Sequence, residues 1–349
     1  MRILAIDTSC DETAVAVTED TKVLSNVVWS QASLHAKFGG VMPSLAQRMH
    51  EERIDWVIDK AIKNSGLPGG RAKLKIKNVD AIAVTIGPGL AITLGVGIAK
   101  AKELAKKYNK PLVAVNHLEG HILSPFAETE LKISYPCLGL AVSGGNTLLL
   151  KINRIGKYET LAQTVDDALG EALDKAARML GLGYPGGAIL EKFARSTNSG
   201  QAQKNPYSLP IPIIGHEERK IFTYSGLKTA MYRLVESEKP LTKEKIQNLA
   251  ACFQNAAFTH LVRVISFVLN HKSYSIKHLL VGGGVSANNE LRKRLRKLGK
   301  EFEINILFPY TKKLCSDNAA MIGIAAYFKT QREEFVDPEK IDRIPNAKI

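Results

Sequence analysis

Two stretches of this chain, far apart in the sequence, follow one scheme, and that repeat limits the folds open to it. Ile3-Leu-Ala-Ile6 reads as a buried strand, Asp7-Thr-Ser-Cys-Asp-Glu12 as a polar turn, and Thr13-Ala-Val-Ala-Val17 as a second strand. Cys137-Leu-Gly-Leu-Ala-Val142, Ser143-Gly-Gly-Asn146 and Thr147-Leu-Leu-Leu-Lys-Ile152 repeat it. Short apolar runs on either side of a tight polar turn are hairpin signals, and a scheme used twice points to a duplicated unit. Between the copies, residues 44–65 and 95–108 have helical periodicity, and Asp80-Ala-Ile-Ala-Val-Thr85 reads as another strand. A chain of 349 residues is long enough for two hydrophobic cores. The pattern predicts one α/β domain over 1–130, a second over 131–325, and a C-terminal stretch, 326–349, that packs back on the first.

Two α/β halves that each open with such a hairpin describe the actin-like ATPase (ASKHA) fold of actin, hexokinase and Hsp70. In that fold two duplicated domains surround a nucleotide and metal cleft, and the two turns offer backbone N–H groups to phosphates. Two unrelated hairpins are the alternative. Ile86-Gly-Pro-Gly-Leu90 and Val281-Gly-Gly-Gly-Val-Ser-Ala-Asn288 each follow a strand and precede a helix. Glycine allows close backbone approach there, and a following helix N-terminus favours anions. G-x-x-x-x-G-K-[ST] does not occur, which argues against a P-loop kinase, and the single G-x-G-x-x-G, Gly181-Leu-Gly-Tyr-Pro-Gly186, does not follow a strand as a Rossmann dehydrogenase requires.

Charge narrows the partner. Lys and Arg outnumber Asp and Glu by 48 to 34, a formal +14, and such a field attracts polyanions. The cations cluster in Arg71-Ala-Lys-Leu-Lys-Ile-Lys77 and in Leu291-Arg-Lys-Arg-Leu-Arg-Lys-Leu-Gly-Lys300. In the second cluster Leu291, Leu295 and Leu298 share one helical face, so its cations also read as the wet side of a helix. The excess favours RNA over a membrane. No apolar run approaches the ~20 residues of a bilayer span, and four scattered cysteines include no C-x-x-C pair. The expectation is a cytoplasmic protein.

Asn116-His117-Leu-Glu-Gly-His121 is the sharpest local constellation. On a helix, i and i+4 differ by about 40° around the axis, so both imidazoles address one point, which suits a divalent transition metal. Chance spacing is the plainer alternative. A zincin protease needs H-E-x-x-H, whereas Glu119 lies about 200° from His117 and faces away. Ser316-Asp317-Asn318 is a candidate source of a third ligand, with helix capping as its other reading. Residues 166–182 also read as a helix, with Leu169, Ala172, Leu173 and Ala176 on one side and Asp167, Glu171 and Asp174 on the other. That acidic side is either solvated or set near a ribose or amino group, because Gly181-Leu-Gly-Tyr-Pro-Gly-Gly187 follows at once.

Asp7-Thr-Ser-Cys-Asp-Glu-Thr13, His117-Leu-Glu-Gly-His121, Val142-Ser-Gly-Gly-Asn-Thr147 and Gly183-Tyr-Pro-Gly-Gly187 stand in one order with Tyr224-Ser-Gly-Leu-Lys-Thr229, Gly283-Gly-Val-Ser-Ala-Asn288 and Cys315-Ser-Asp-Asn318. Together they resemble the tRNA adenosine threonylcarbamoyltransferases, the TsaD family, formerly called O-sialoglycoprotein endopeptidases. The resemblance runs from Met1 to about Phe328. It implies transfer of threonylcarbamoyl from threonylcarbamoyl-AMP to the N6 amine of adenosine at position 37, beside the anticodon, in tRNAs reading codons that begin with A.

Carried over residue by residue, the resemblance makes His117, His121 and Asp317 the metal ligands, with iron(II) the usual ion and zinc a substitute. It makes Ala141, Val142, Ser143, Gly144 and Gly145 a substrate-binding turn, and Asp174, Gly187, Asn288 and Glu191 positions that hold the adenylate. Asp11 and Glu12 resemble acidic residues implicated in activity. Asn146 and Asn116 depart from the family pattern, where many members have His. The implied partners are tRNA, a catalytically silent actin-like paralogue and a small P-loop ATPase, with no membrane. A small-molecule kinase of the same fold is the rival reading, and it has no need of two histidines.

Overall fold

The computed structural model describes residues 1–66, 76–195, 205–270 and 275–349. The basic run at 71–77 therefore lies mostly outside the described residues. The chain forms two compact units, Met1–Lys132 with Phe308–Ile349, and Ile133–Leu307.

In the first unit the opening hairpin is β1 (Arg2–Asp7) and β2 (Glu12–Glu19), followed by β3 (Lys22–Ser30), a short helix α1 (Ala32–His35) and α2 (Pro43–Asn64). Then come β4 (Ala81–Gly87), α3 (Ala91–Tyr108), β5 (Leu112–Asn116) and α4 (His117–Leu123). The sheet order is β3-β2-β1-β4-β5, with the first two pairings antiparallel and the other two parallel. β1 and β4 are buried along nearly all their length, the mark of strands covered on both faces.

The second unit begins with β6 (Cys137–Val142), β7 (Thr147–Arg154) and β8 (Lys157–Thr164), then α5 (Leu169–Met179) and α6 (Gly187–Arg195). It continues through β9 (Ile221–Phe222), α7 (Ser225–Ser237), α8 (Lys243–Asn270), β10 (His278–Gly282), α9 (Asn289–Glu301) and β11 (Asn305–Leu307). Its sheet runs β8-β7-β6-β10-β11, with β9 added beyond β8. The sense of each pairing matches the first sheet: β6–β7 and β7–β8 are antiparallel, and β6–β10 and β10–β11 parallel. The repeat seen in two hairpins thus extends to five strands in each unit. β9, too short to register as a sequence pattern, is the departure from it.

The chain returns to the first unit at Phe308, upstream of the residue 326 anticipated from sequence. The reason is α10 (Ala319–Thr330), which packs on β1, β2 and α4. Nine of its residues are buried and its apolar character runs all round, as a core helix requires. A Cβ on Gly120 of α4 would come within 3.0 Å of Ile322 Cδ1 and 3.2 Å of Met321 Cγ, so glycine lets α4 and α10 approach closely. Among the described residues, α8 is the one helix long and apolar enough to cross a membrane, and 61% of its apolar stretch is buried inside the protein.

Candidate active site

Two helix starts in the first unit bring three ligating side chains together. Asn116 Oδ1 accepts the Leu118 and Glu119 N–H groups at the start of α4 (2.9 and 3.4 Å), and Asn318 Oδ1 accepts Met321 N–H at the start of α10 (3.1 Å). The asparagines do the capping. His117, His121 and Asp317 are therefore left to other work. His121 Nε2 lies 3.1 Å and His117 Nε2 3.5 Å from Asp317 Oδ1, and the three ligand atoms lie within 4.8 Å of one another. Glu119 points elsewhere, 3.9 Å from Lys329 Nζ on α10, which removes the base a zincin would need.

The surroundings fit a cation. His121 is fully buried, and neither of its ring nitrogens has a hydrogen-bond partner. The Asp317 carboxylate lies close to His121 Nε2 but out of line for a hydrogen bond. Buried polar atoms are normally paired, and two imidazole nitrogens with a carboxylate oxygen form a donor set for a divalent transition metal. His117 has outer support: its Nδ1 lies 3.1 Å from Ser9 Oγ and 3.5 Å from Asp7 Oδ2. That contact fixes the ring and leaves Nε2 for the ion.

Protonation follows from the charges. Burial opposes a charge on His117, but Asp317 and then Asp7 outweigh it and push the imidazole up to about 10. His121 is lowered, by burial first and then by the His117 charge, while Asp317 is held well below the usual carboxylate range because the histidines outweigh its burial. Loading an ion must then displace the His117 proton. Zinc affinity is expected to rise about tenfold per pH unit between roughly pH 6 and 9, with about one proton released per ion. Calorimetry in buffers of different ionisation enthalpy measures both, and a pH-independent affinity would contradict this site.

The 7–12 turn carries Asp11 and Glu12 beside this trio. Burial first, then the Asp317 and Asp11 charges, raise Glu12 well above its ordinary value. A cation on the trio would oppose that shift. A buried scaffold holds the turn from behind. His50 Nε2 lies 3.0 Å from Cys10 O, and its Nδ1 lies 2.7 Å from Thr13 Oγ1. A carbonyl only accepts, so the proton sits on Nε2 and the Thr13 hydroxyl donates to Nδ1. Burial lowers the His50 pKa, which keeps that neutral form. Gln31 N–H donates to Asp11 O (3.0 Å).

In the second unit the 143–146 turn closes on itself. Ser143 N–H donates to Asn146 O (2.8 Å), and Asn146 N–H to Ser143 Oγ (3.2 Å). Ser143 N–H is thus taken up within the turn itself. Gly144 and Gly145 N–H groups have no partner among the described residues, and both residues are exposed. A Cβ on either would meet nothing within 4 Å, so the fold itself does not require glycine there. Gly283 differs: its φ is +92° and a Cβ would sit 2.3 Å from Val142 O, which seats the 282–288 turn against the end of β6.

Asp174 Oδ1 accepts Gly186 and Gly187 N–H (2.9 and 2.7 Å) at the start of α6. Burial raises its pKa against the pull of those N–H groups. The helix begins at Leu169 rather than 166. Asp166 instead receives Tyr224 N–H (2.8 Å) and Ser225 Oγ–H (2.7 Å), and Asp167 pairs with Lys175 and Lys228. Asn288 is committed to structure through its side chain. Oδ1 caps α9 at Glu290 and Leu291, and Nδ2 donates to Gln254 Oε1 at 2.9 Å. Glu191 Oε1 accepts from Asn289 N–H (2.8 Å).

A family model described as TsaD, tRNA N6-adenosine threonylcarbamoyltransferase, matches residues 22–324. The curated protein of that name from Kosmotoga olearia is 42% identical over 349 residues, covering 100% of this chain and 99% of the relative. Its counterpart from Thermodesulfovibrio yellowstonii is 43% identical over 341 residues, 97% of each chain. The chain belongs to this family. Among solved structures, full-length HypF in its phosphate- and nucleotide-bound form aligns with a TM-score of 0.59 at 15% identity, over 95% of this chain and 46% of that one. That likeness concerns the fold, which is the actin-like ATPase fold.

The chain gathers its predicted residues in two sets. His117, His121, Asp317, Asp11 and Glu12 lie in the first unit, and the 141–145 turn, Asp174, Gly187, Glu191 and Asn288 in the second. Asp7, Ser9 and His50 were not singled out from sequence. An acid closing a buried strand was the available signal for Asp7. The two departures behave differently: Asn116 caps α4 and its Nδ2 donates to Lys348 O (3.0 Å), whereas Asn146 closes its turn through main-chain atoms.

Proposed function

We propose that this chain moves threonylcarbamoyl from threonylcarbamoyl-AMP onto N6 of adenosine 37 in tRNAs that read A-starting codons, using one divalent ion, iron(II) in the cell and zinc as a substitute. The observation that carries the reading is the meeting of His117, His121 and Asp317 around one point, with His121 buried and neither of its ring nitrogens hydrogen-bonded. A small-molecule kinase of this fold has no use for that trio. An ion held there supplies Lewis-acid polarisation of an acyl-donor oxygen.

The chain's own groups do the rest. Gly144 and Gly145 N–H groups receive adenylate phosphate oxygens, and Asp174 holds the 183–187 turn under the nucleoside. Ser9 and Asp7 fix the His117 ring. The N6 nitrogen forms a bond to the carbonyl carbon, the carbon–oxygen bond to phosphate breaks, and AMP departs with that electron pair. Glu12, in the turn beside the trio, accepts the N6 proton as the general base. A silent actin-like paralogue, a small P-loop ATPase and a separate adylate-forming enzyme complete the cytoplasmic pathway in this reading.

The test is mass spectrometry of nucleosides from unmodified tRNA incubated with threonylcarbamoyl-AMP, this protein and those partners. Threonylcarbamoyladenosine is expected, and Glu12→Gln should lower its rate of formation by about a hundredfold, within the range for losing a general base. Unmodified tRNA after incubation with metal-loaded protein would reject the proposal.

A further inference from the structure

Positive charge is divided unevenly along the chain. Residues 133–307 contain 24 Lys and Arg against 14 Asp and Glu, so the second unit holds +10 of the total +14. Six of those cations lie on α9. Two are used internally: Arg292 Nε donates to Ser286 O (2.6 Å), and Arg294 is tied to Glu290, Asn255 and Thr259. Lys293, Lys297 and Lys300 are different. All three are exposed and form no ion pair among the described residues, whereas Lys175, Lys228, Lys245 and Arg263 of the same unit do.

Their spacing makes them one feature. Positions i, i+4 and i+7 fall in a single row along a helix. Each stands two residues, about 200°, from Leu291, Leu295 or Leu298, the buried residues that seat the helix. The row therefore faces outward and extends over about 10 Å. It starts beside the 282–288 turn, since Asn288 is the N-cap of α9 and Asn289 N–H donates to Glu191 Oε1. No large apolar side chain of α9 is exposed, and a helix that lies on a membrane needs Trp, Phe or Leu on its inserting face.

We propose that the outer face of α9, through Lys293, Lys297 and Lys300, is the docking surface for the phosphate backbone of the tRNA substrate. The proposal rests on the reading that the chain modifies tRNA. Phosphates are a regularly spaced anionic track, and unpaired lysines that neutralise them release counterions without reading sequence. The surface thus supplies affinity and leaves the choice of adenosine to the reacting site.

The experiment compares the full-length protein with a Lys293→Gln, Lys297→Gln, Lys300→Gln variant, measuring binding of unmodified tRNA from about 50 to 200 mM salt. Three lost phosphate contacts should flatten the log–log salt dependence by about 2 to 3 and weaken binding roughly tenfold to a hundredfold at low salt. KM for tRNA should rise with kcat and AMP binding unchanged. Equal affinity and slope in the two proteins would overturn the docking surface and leave the proposed function standing. Failure of the wild-type protein, with its partners, to bind tRNA at all would overturn both. Lysine-dependent binding to phosphatidylserine vesicles in place of tRNA would assign the face to a membrane and overturn the proposal as well.

Discussion

Replacing His121 by alanine is expected to lower transfer by about a thousandfold or more and to abolish stabilisation of the protein by divalent metal. Losing a group that merely supports a metal ligand costs about 10- to 100-fold, and His121 offers its ring directly. Its burial sharpens the argument. An imidazole kept inside for structure would find hydrogen bonds, as His50 does with Thr13 and Cys10, but both nitrogens of His121 are without one. Wild-type protein at a metal concentration near 100 Kd should gain about 2.7 kcal/mol of stability, read as a rise in Tm, and the variant should gain none. Asp317→Asn should reproduce the loss, because an amide nitrogen replaces a carboxylate oxygen. A His121→Ala protein that still modifies tRNA at the native rate, or whose Tm still rises with zinc, would remove the metal from the reaction.

The path from sequence to that site had a local part and a long-range part. The His pair was legible because helical spacing alone aligns positions i and i+4. Asp317 was nominated by its neighbours, and the geometry resolves its two readings by dividing them: Asn318 caps α10 and Asp317 faces the histidines. Ser9 and Asp7 on His117 Nδ1, and His50 behind the acidic turn, are contacts between residues far apart in the chain. No periodicity encodes them. The same holds for Ser143, whose donor is spent on Asn146, and for Asn288, whose amide is split between a helix cap and Gln254. Sequence indicates which residues carry polar chemistry, but not whether each group is already occupied.

The two-unit plan was legible in the hairpins because β6 and β1 are short apolar runs beside polar turns. The return at Phe308 was not, because a helix like α10, apolar on every side, suits the core of either unit. What decides is steric fit at particular spots. Gly120 allows α10 to lie against α4, and the trio depends on that contact.

A Gly144→Ala, Gly145→Ala double variant should fold normally and yet bind adenylate about a hundredfold more weakly. Neither glycine has a positive φ, and a Cβ on either meets no protein atom within 4 Å. Exposed substitutions of that kind usually alter stability by under about 0.5 kcal/mol, so Tm should scarcely move. Two methyl groups between the N–H donors and a phosphate would nevertheless block close approach, and a hundredfold corresponds to about 2.8 kcal/mol. Gly283→Ala is the contrasting case. Its backbone is left-handed and its Cβ would collide with Val142 O, so it should lose stability first and binding only as a consequence. Differential scanning calorimetry beside AMP titration separates the two. If the double variant binds AMP as tightly as wild type, the 143–146 turn is not the phosphate cradle. If it instead unfolds like Gly283→Ala, the glycines serve the fold.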